Sequence, residues 1–366
     1  MLNKKQLSEL HSEILSLREW LLSTVSYDDY KFLRKIEWVG RACTISGYLL
    51  VGLVPNWFTV IVSSALIMWG MVSRSLMGHH CGHGAYDNIP GVPKRYHKDC
   101  FGIGWRRYID HFLLIKQEDF RDDHALHHRT VNDPRDPDPV YMDHEHGAFT
   151  SYTKPWQKTA LFWIQGFTWI HSYYSPYFRG INTATEGFST LFNPKDIRVW
   201  KYWILHFGPY ALWYYVAIPS MFLSLESSLY VLAARLLAEP LYNIGTFCIQ
   251  TTNHTGVDLY RFKCKPKTRS EWYWRQIVSS TNFSSSGDFS DYLHLYMNYQ
   301  IEHHIVPNLP MNKYSLAKPF VNRLCLKYSI PYIEEPIWDR VMRLKVCYVG
   351  DERIKYYERQ EDSTTP

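Results

Sequence analysis

The chain has 366 residues, a length that suits one large domain or two small ones. Aromatic residues make up 16% of it, which is typical of proteins that cross membrane interfaces, but the mean hydropathy of −0.30 excludes a bundle that is mostly buried in lipid. The net charge of +5 comes without a long basic run, so the sequence gives no indication of nucleic-acid binding and favours contact with anionic lipid headgroups or an acidic redox protein.

Cysteine spacing and the N-terminal sequence give two negative expectations. The seven cysteines are scattered along the chain and include no CxxC pair, which supports neither a disulfide framework nor a zinc ribbon. Charged side chains interrupt the first 20 residues throughout, and these residues contain no apolar core segment. They are therefore not expected to form a signal peptide.

Apolar residues recur at helical spacing near the N-terminus, and charged residues fill the other faces. The pattern predicts an amphipathic helix within a cytosolic N-terminal arm that spans residues 1–41. Two placements are open, because the helix can lie at the membrane surface or pack on the domain that follows. The apolar positions are Leu7, Leu10, Ile14, Leu17 and Leu21.

Two long apolar stretches predict four membrane-spanning helices in two hairpins. Pro55 and Asn56 divide the first stretch, and each half is near the short end of the length that crosses a bilayer. A single re-entrant segment is the alternative there. A polar break around Glu226 divides the second stretch. The expected spans are about 42–55, 57–77, 202–223 and 229–249.

Two ionisable residues fall inside the last expected span. Arg235 and Glu239 lie four residues apart, so they can face each other on one side of a helix. Charged side chains at such positions favour a bundle interior or a cavity over lipid contact. We therefore expect this side of the span to face neighbouring helices.

The distribution of positive charge predicts the orientation in the membrane. The two outer turns contain no Lys or Arg, whereas the N-terminal arm contains seven. The positive-inside rule places both termini and the segments 78–201 and 250–366 in the cytosol. The expected fold is an all-α integral membrane protein with a cytosolic helical cap. Its main domain covers residues 42–350, and a polar C-terminal tail covers 351–366.

Histidines cluster in the segments that the topology places in the cytosol. HxxxH at 79–83 follows the second span, HxxHH lies at 124–128, and QxxHH lies at 300–304. A single His254 follows the fourth span. Because residues three or four apart share one face of a helix, each cluster can direct its rings to one side. All four sets can therefore meet at one face of the membrane.

Clustered imidazoles at this spacing indicate a pair of metal ions. Neutral imidazole binds first-row transition metals well, and one ion takes roughly three or four protein ligands, so the clustered histidines fill two sites. His127 and His128 point about 100° apart on a helix, so each can serve a different ion. Two metals can activate O₂ and remove a hydrogen atom from an unactivated C–H bond. The spacing alone does not distinguish iron from zinc.

These motifs resemble the three histidine boxes of the membrane fatty acid desaturases. The resemblance runs from about Met77 to Pro310, and Asn253-His254 is similar to the extra histidine after the fourth span. The run TVNDPRDPD at 130–138 resembles the Asn and Asp-Pro-Asp that follow the second box. Gln300, in place of a His, resembles front-end desaturases, which insert a double bond on the carboxyl side of an existing one.

The resemblance implies two Fe²⁺ ions, O₂ as co-substrate and the acyl chain of a lipid or a CoA ester as substrate. Gln300 would be a weak ligand, or would orient a ligand or a water molecule. Asp123 and Asp138 are candidates for carboxylates that hydrogen-bond ligand imidazoles. The spacing assigns no role to His80. The implied iron ligands are His79, His83, His124, His127, His128, His254, His303 and His304.

The sequence departs from animal front-end desaturases, which carry a fused cytochrome b5 domain with a His-Pro-Gly-Gly motif. No such motif is found, and residues 1–41 are too few for a haem domain. We therefore expect a separate electron donor, either cytochrome b5 or a ferredoxin. Both are acidic, and the basic cytosolic face can receive them. The departure leaves the position of the double bond open.

Two other functions stay open at this point. A hydroxylase or ketolase of the same superfamily, acting on a lipid, an alkane or a carotenoid, would share every metal ligand, although the second-box match at Asn132 and Asp138 favours desaturation. A zinc-dependent membrane hydrolase or receptor would hold zinc and consume no O₂. A non-catalytic scaffold would leave the clusters unexplained. The sequence therefore favours O₂-dependent desaturation of a fatty acyl chain.

Overall fold

The computed structural model describes residues 2–108, 117–137, 154–171, 188–352 and 354–357. These segments are mostly helical, as expected. The principal helices are α1 (Lys4–Ser23), α2 (Tyr27–Leu53), α3 (Trp57–Gly82), α4 (Gln117–Thr130), α5 (Pro155–Phe167), α6 (Ile197–Tyr202), α7 (Leu225–Thr252), α8 (Arg269–Val278), α9 (Asp288–Leu293), α10 (Gln300–Ile305), α11 (Tyr314–Lys327) and α12 (Ile337–Val349).

Short strands accompany these helices, which an all-α fold did not predict. β1 (Tyr260–Phe262) pairs in parallel with β4 (Lys355–Tyr357), and β2 (Asn282–Phe283) pairs in parallel with β3 (Glu334–Glu335). Strand β4 lies within the expected tail 351–366, so part of that tail pairs with the domain. Runs of two or three residues are too short to produce a strand pattern in the sequence.

The N-terminal amphipathic helix packs on the domain. Asn3 caps α1 through a reciprocal capping box with Gln6. The apolar side of α1 contacts α8 and α11 and joins the main hydrophobic core. Of the two placements left open by the sequence, the packed one is confirmed. The buried residues on this side are Leu10, Ile14, Leu17 and Leu21.

The first expected hairpin consists of α2 and α3. The expected span 42–55 is the C-terminal half of α2, which begins fifteen positions earlier, so the expected boundary between residues 41 and 42 falls inside a helix. Asn56 caps α3, because its side chain accepts a 3.0 Å hydrogen bond from the Thr59 backbone N–H. Among the described helices, α3 alone is long and apolar enough to cross a membrane by length and composition.

The second expected hairpin is less regular. Span 202–223 was expected to be one helix, but the chain there alternates between α- and π-helical turns, since Gly208-Pro209 removes a backbone donor from the ladder. The expected span 229–249 lies within α7. The turns that follow α6 are Trp203–Phe207 (π), Gly208–Ala211 (α), Leu212–Ala217 (π) and Pro219–Met221 (3₁₀).

Helix α7 packs against α3 and α2 through its charged side. Arg235 is fully buried and lies 3.6 Å from Glu239, which confirms that this side faces the bundle interior. The Arg235 guanidinium also lies 4.1 Å from the ring centre of Tyr214 and donates to the hydroxyl of Tyr210. These contacts replace hydration of the buried guanidinium, as a cation in an apolar bundle requires.

Candidate metal centre

The first histidine box lies where α3 ends. Because α3 continues without a break from the apolar segment into the box, His79 and His83 stand one turn apart on one face. His79 is buried, and His83 is the residue that caps the helix. Their ring centroids are 4.9 Å apart. Both rings therefore lie at the C-terminal end of the long apolar helix.

The second box lies on α4, which is fixed against the first. The Gln117 side chain at the start of α4 donates a 2.7 Å hydrogen bond to the carbonyl of Gly78. His124, His127 and His128 are all buried on the inner side of α4. Helical spacing therefore presents three rings toward the end of α3.

The third box is on α10, a short helix held by a buried polar network. The Asn282 side chain accepts from the backbone N–H of Ile301 at 2.9 Å and donates to Glu302 at 2.8 Å. The Tyr332 hydroxyl donates to the same carboxylate at 2.8 Å. Burial raises the pKa of Glu302, and the two donors counter that effect. This network fixes the orientation of His303 and His304, which are fully buried.

The rings from these elements meet in two groups. Within each of the two groups, one ring nitrogen of every histidine lies within 4.8 Å of the corresponding ring nitrogens of the other members. His79 Nε2 and His303 Nε2 are 3.0 Å apart in the first group, and His127 Nε2 and His254 Nε2 are 3.3 Å apart in the second. The groups are His79, His83, His124 and His303, and His127, His254 and His304.

The two remaining predicted residues lie beside these groups. His128 Nε2 is 3.3 Å from His124 Nε2, and its ring stacks 4.2 Å from that of His304, so His128 stands between the groups. The side-chain nitrogen of Gln300 is 2.7 Å from His254 Nε2. The structure thus brings together all nine residues that the sequence assigned to the site, on the side of α3 where the apolar segment ends.

Hydrogen bonds at the outer ring nitrogens show that the second group fits a cation. His127 Nδ1 donates to the Asp136 carboxylate at 2.8 Å, and His254 Nδ1 donates to the Ser279 carbonyl at 3.0 Å. His304 Nδ1 is 2.7 Å from the Gln276 side-chain oxygen. A neutral imidazole carries one proton, so each Nε2 directs a lone pair inward. The Gln300 amide nitrogen, 2.7 Å away, faces the lone pair of His254, whereas that of His304 is buried without a hydrogen-bond partner. A cation among the three rings would neutralise the repulsion between their lone pairs.

Burial keeps these imidazoles in the neutral form that binds metals. Desolvation lowers the pKa of His83 from 6.5 to about 3. Burial, followed by the neighbouring histidines, lowers the pKa of five more rings outside α3 well below 6.5. Among the described residues, His83 Nε2 and His304 Nε2 are buried without a hydrogen-bond partner. The rings with strongly lowered pKa values are His124, His128, His254, His303 and His304.

The residues that orient the rings were mostly missed from the sequence. The carboxylate on His127 belongs to Asp136, inside the Asp-rich run that the sequence singled out. Asp138, which the sequence suggested for such a role, lies outside the described residues. Asp123 is on α4, and its expected role stays a prediction. Tyr314, 2.8 Å from His303 Nδ1, and Gln276 come from distant helices with no motif of their own.

His80 lies beside the first group but outside it. It is fully buried, and its ring centroid is 5.0 Å from that of His79 and 6.1 Å from that of His303. The helix turns this ring about 100° away from that of its neighbour His79. The structure therefore gives His80 a packing position against Tyr314, with ring centroids 5.9 Å apart.

Comparison with known proteins matches residues 55–336 to the fatty acid desaturase family model. A mouse fatty acid desaturase 2-like protein is 35% identical over 75 residues, which cover 20% of this chain and 15% of the relative. A delta(8)-fatty-acid desaturase from Arabidopsis thaliana is 32% identical over 82 residues, 22% of this chain and 17% of the relative.

Human fatty acid desaturase 3 is 33% identical over 66 residues, which cover 18% of this chain and 15% of the relative. The aligned segments thus span less than a fifth of these relatives' own length. The family model, in contrast, covers most of this chain, including every histidine of both groups. The chain belongs to the fatty acid desaturase family.

Proposed function

We propose that this protein desaturates a fatty acyl chain with O₂ at a histidine-ligated di-iron centre in a membrane. The observation that carries the proposal is the convergence of seven buried or half-buried histidines in two adjacent groups, with an eighth, His128, beside them. These histidines form a set of four and a set of three, with His128 between them, which matches the number of protein ligands that two neighbouring metal ions require. Membership of the desaturase family supports iron over zinc.

Each group would hold one iron ion. His79, His83, His124 and His303 form one ligand set, and His127, His254 and His304 form the other, with His128 able to serve either. When bound, the two irons supply the oxidising power that removes two hydrogens from neighbouring methylenes while O₂ is reduced to water.

The chain's own residues would orient and isolate this chemistry. Asp136, Gln276 and the carbonyl of Ser279 hold three imidazoles in the tautomer that directs Nε2 inward. Gln300, beside His254, orients a ligand or a water molecule at the edge of the second group. The burial of the rings would exclude bulk water from the metals. The reacting carbons would also have to be positioned closely, because a displacement of about 1 Å can reduce the rate about 100-fold.

The proposed topology has four spans, with the termini and the active site in the cytosol. Helix α3 supports it, because this apolar helix ends in the first histidine box. The lack of Lys and Arg in the outer turns supports the orientation. The site would thus lie at the depth where acyl chains of the inner leaflet begin, whether they belong to a lipid or to a CoA ester.

A separate acidic redox protein, cytochrome b5 or a ferredoxin, is the proposed electron donor. The excess of positive charge on the segments assigned to the cytosol supports this partner class. Gln300 at the start of the third box supports front-end regiochemistry, and two of the relatives are named delta(8)-fatty-acid desaturases.

The proposal is tested by expression in a host with a simple lipid profile, followed by analysis of total fatty acids with double bonds located by derivatisation. A new product two mass units lighter than a host acyl chain is expected. A product that gains oxygen would instead assign a hydroxylase or ketolase. Zinc in the purified protein, without O₂ consumption, would assign a hydrolase or receptor.

His303→Ala is expected to lose iron and desaturation together, because it removes a fully buried ligand from the first group. Iron is measured by mass spectrometry of the purified protein, and activity is measured from the fatty acid profile. His97→Ala is the matched control, since half-buried His97 belongs to neither group. Normal iron content with full turnover in His303→Ala would contradict the assignment.

A further inference from the structure

Helix α8 connects the protein surface to the candidate metal centre. Trp272 is half-buried near the start of this helix, and Gln276 follows one turn later on the same side. Gln276 is fully buried, and its side-chain oxygen is 2.7 Å from His304 Nδ1. One side of α8 thus carries a partly exposed aromatic ring and a residue that orients a candidate ligand.

Trp272 also contacts the backbone of the second histidine box. Its indole N–H donates a 3.0 Å hydrogen bond to the carbonyl of Arg129 on α4. Arg129 directly follows His128, which is buried and stands between the two histidine groups. One hydrogen bond and the covalent bonds of a dipeptide therefore join the partly exposed indole to a candidate ligand.

A connection of this kind suits the delivery of electrons. Electron transfer through a protein slows steeply with distance, and covalent and hydrogen bonds carry it better than gaps between atoms. His127, His128 and His304 are buried, so a donor protein cannot contact them directly. An electron from a donor bound over Trp272 would reach His128 through the indole and the Arg129 peptide, without oxidation of the tryptophan.

Two arginines flank Trp272. Arg269 lies three residues earlier on α8, and its guanidinium carbon is 3.9 Å from the centre of the Trp272 ring. Arg129 is exposed, and its Nε donates a 3.1 Å hydrogen bond to the carbonyl of Ala125, which holds the side chain along α4. Neither arginine pairs with a carboxylate within the described part of the chain. Both positive charges are therefore available to a partner.

The acidic side chains next to these residues are already neutralised. The Glu271 carboxylate, beside Trp272 on α8, pairs with Arg275 at 2.5 Å. Asp122, two turns before Arg129 on α4, pairs with Arg121 at 2.9 Å. The surface around Trp272 therefore has a positive excess, which attracts an acidic protein and guides it to the docked position.

The same surface favours a protein partner over lipid. No large hydrophobic side chain is exposed between residues 242 and 288, all of which the structure describes, so this surface offers nothing for insertion among acyl chains. Tryptophan and arginine are, in contrast, the residues that most often dominate the centres of protein interfaces. Electron-transfer complexes are also small and weak, so a limited patch is sufficient.

We propose that the surface formed by Trp272, Arg129 and Arg269 is the docking site of the acidic one-electron donor. Electrons enter through the hydrogen bond between Trp272 and the Arg129 carbonyl. The inference rests on the di-iron chemistry and the orientation given under the proposed function.

The electrons of the proposed reaction balance with such a donor. Reduction of O₂ to two water molecules takes four electrons and four protons. Two electrons and two protons come from the two hydrogens removed from the acyl chain, and two further protons come from water. The donor supplies the other two electrons one at a time. Each transfer oxidises one donor molecule and reduces one iron ion from Fe³⁺ to Fe²⁺.

Docking is tested with the purified, iron-loaded full chain in detergent micelles. The soluble haem domain of cytochrome b5 and a plant-type ferredoxin are each titrated by calorimetry. Arg129→Gln with Arg269→Gln is expected to weaken donor binding up to about 25-fold, from up to about fivefold for each exposed charge pair that is lost. Salt should weaken wild-type binding more than that of the variant.

Two further variants serve as controls for docking. Lys35→Gln with Arg323→Gln removes the same charge from exposed positions on α2 and α11 and is expected to bind the donor like wild type. Arg129→Lys with Arg269→Lys keeps the charge and is expected to retain most of the binding. Iron content and thermal unfolding are measured in every variant, so a loss of folding is recognised.

The electron route is tested with Trp272→Phe, which keeps a ring but removes the N–H donor. Reduced donor is mixed without O₂ with oxidised protein, and its oxidation is followed by absorbance. At saturating donor the transfer is expected to slow several-fold, while donor affinity stays close to wild type. Trp274→Phe is the matched control, because this half-buried ring on α8 packs on Tyr357, with ring centroids 5.1 Å apart. Dithionite, which needs no docking site, should reduce all variants alike.

Several results would overturn the proposal. These are the absence of binding by either donor, equal donor binding by wild type and the double Gln variant, or an equal loss in the Lys35 and Arg323 control. An unchanged transfer rate in Trp272→Phe would remove the route. In bilayers of brominated phosphatidylcholine, stronger fluorescence quenching in wild type than in Trp272→Phe would assign the surface to lipid. A wild-type protein without iron, or one that dithionite cannot reduce, would count against the proposed function instead.

Discussion

The proton on each imidazole decides which of its nitrogens can bind a metal. For His127, the Asp136 carboxylate takes the Nδ1 proton, and the second oxygen of Asp136 accepts a 2.7 Å hydrogen bond from the backbone N–H of Asn132. Both carboxylate oxygens are therefore engaged, and the side chain cannot turn without losing one of these bonds. Asp136 holds His127 in one orientation and would strengthen its Nε2 as a donor to a bound metal ion.

Asp136→Asn is expected to weaken binding of the second metal about 10- to 100-fold. An amide replaces one acceptor oxygen with a donor, so the bond to either His127 or the Asn132 backbone is lost. Metal content after dialysis against a graded chelator measures the change. Asp122→Asn, on exposed α4 surface beside Arg121, is the control and should bind two ions like wild type. Equal metal retention by both variants would argue against the role of Asp136.

At the level of secondary structure, small residues set the distance between α2 and α3. A Cβ atom at Gly70 would lie 2.8 Å from the Gly40 carbonyl oxygen and closer still to the Thr44 side chain. Real Cβ atoms do not approach backbone so closely, so the helices would have to separate. Because α3 carries His79 and His83 at its end, this packing also sets where the first box lies.

Gly70→Ala is expected to destabilise the protein by about 1–3 kcal/mol, the usual cost of overpacking. Gly245→Ala offers a matched control in α7, because a Cβ atom there meets nothing within 4 Å. That change is expected to stabilise the helix by about 0.5–1 kcal/mol. Thermal unfolding in detergent compares the two. A melting temperature that falls equally in both variants would contradict the packing argument.

For the molecule as a whole, the candidate metal centre is a cluster of neutral histidines that are buried only in the folded state. Rings with a pKa well below 6.5 stay unprotonated when the folded protein is moved from pH 7 to pH 5.5. In the unfolded chain the same rings take up protons below about pH 6.5. The unfolded state thus binds more protons, and acid favours it.

The metal-free protein is therefore expected to lose stability as the pH falls from 7 to 5.5. Each such histidine lowers the free energy of unfolding by up to about 1.4 kcal/mol for each pH unit below its unfolded pKa. Denaturant unfolding of chelator-treated protein at several pH values measures the slope. A free energy of unfolding that stays constant over this range would show that the rings are not buried in the neutral form.

The sequence by itself determined which histidines form the candidate metal-binding set and which long helix carries two of them. Histidine spacing at 79–83, 124–128 and 300–304 reflects helical periodicity, a local property that one sequence displays directly. The buried side of α1 and the inward side of α7 were predictable for the same reason. The irregular turns after α6 and the short strands were not, because neither leaves a periodic pattern.

Only the tertiary structure decided how the histidines are divided and oriented. His127 joins His254 and His304, while His124 joins residues of α3 and α10, a partition that depends on how three separate elements meet. Tyr314 and Gln276 hold their rings from positions 11 and 28 residues away. Such contacts arise when burial removes water and each polar atom must find a partner in space, and sequence spacing does not encode that choice.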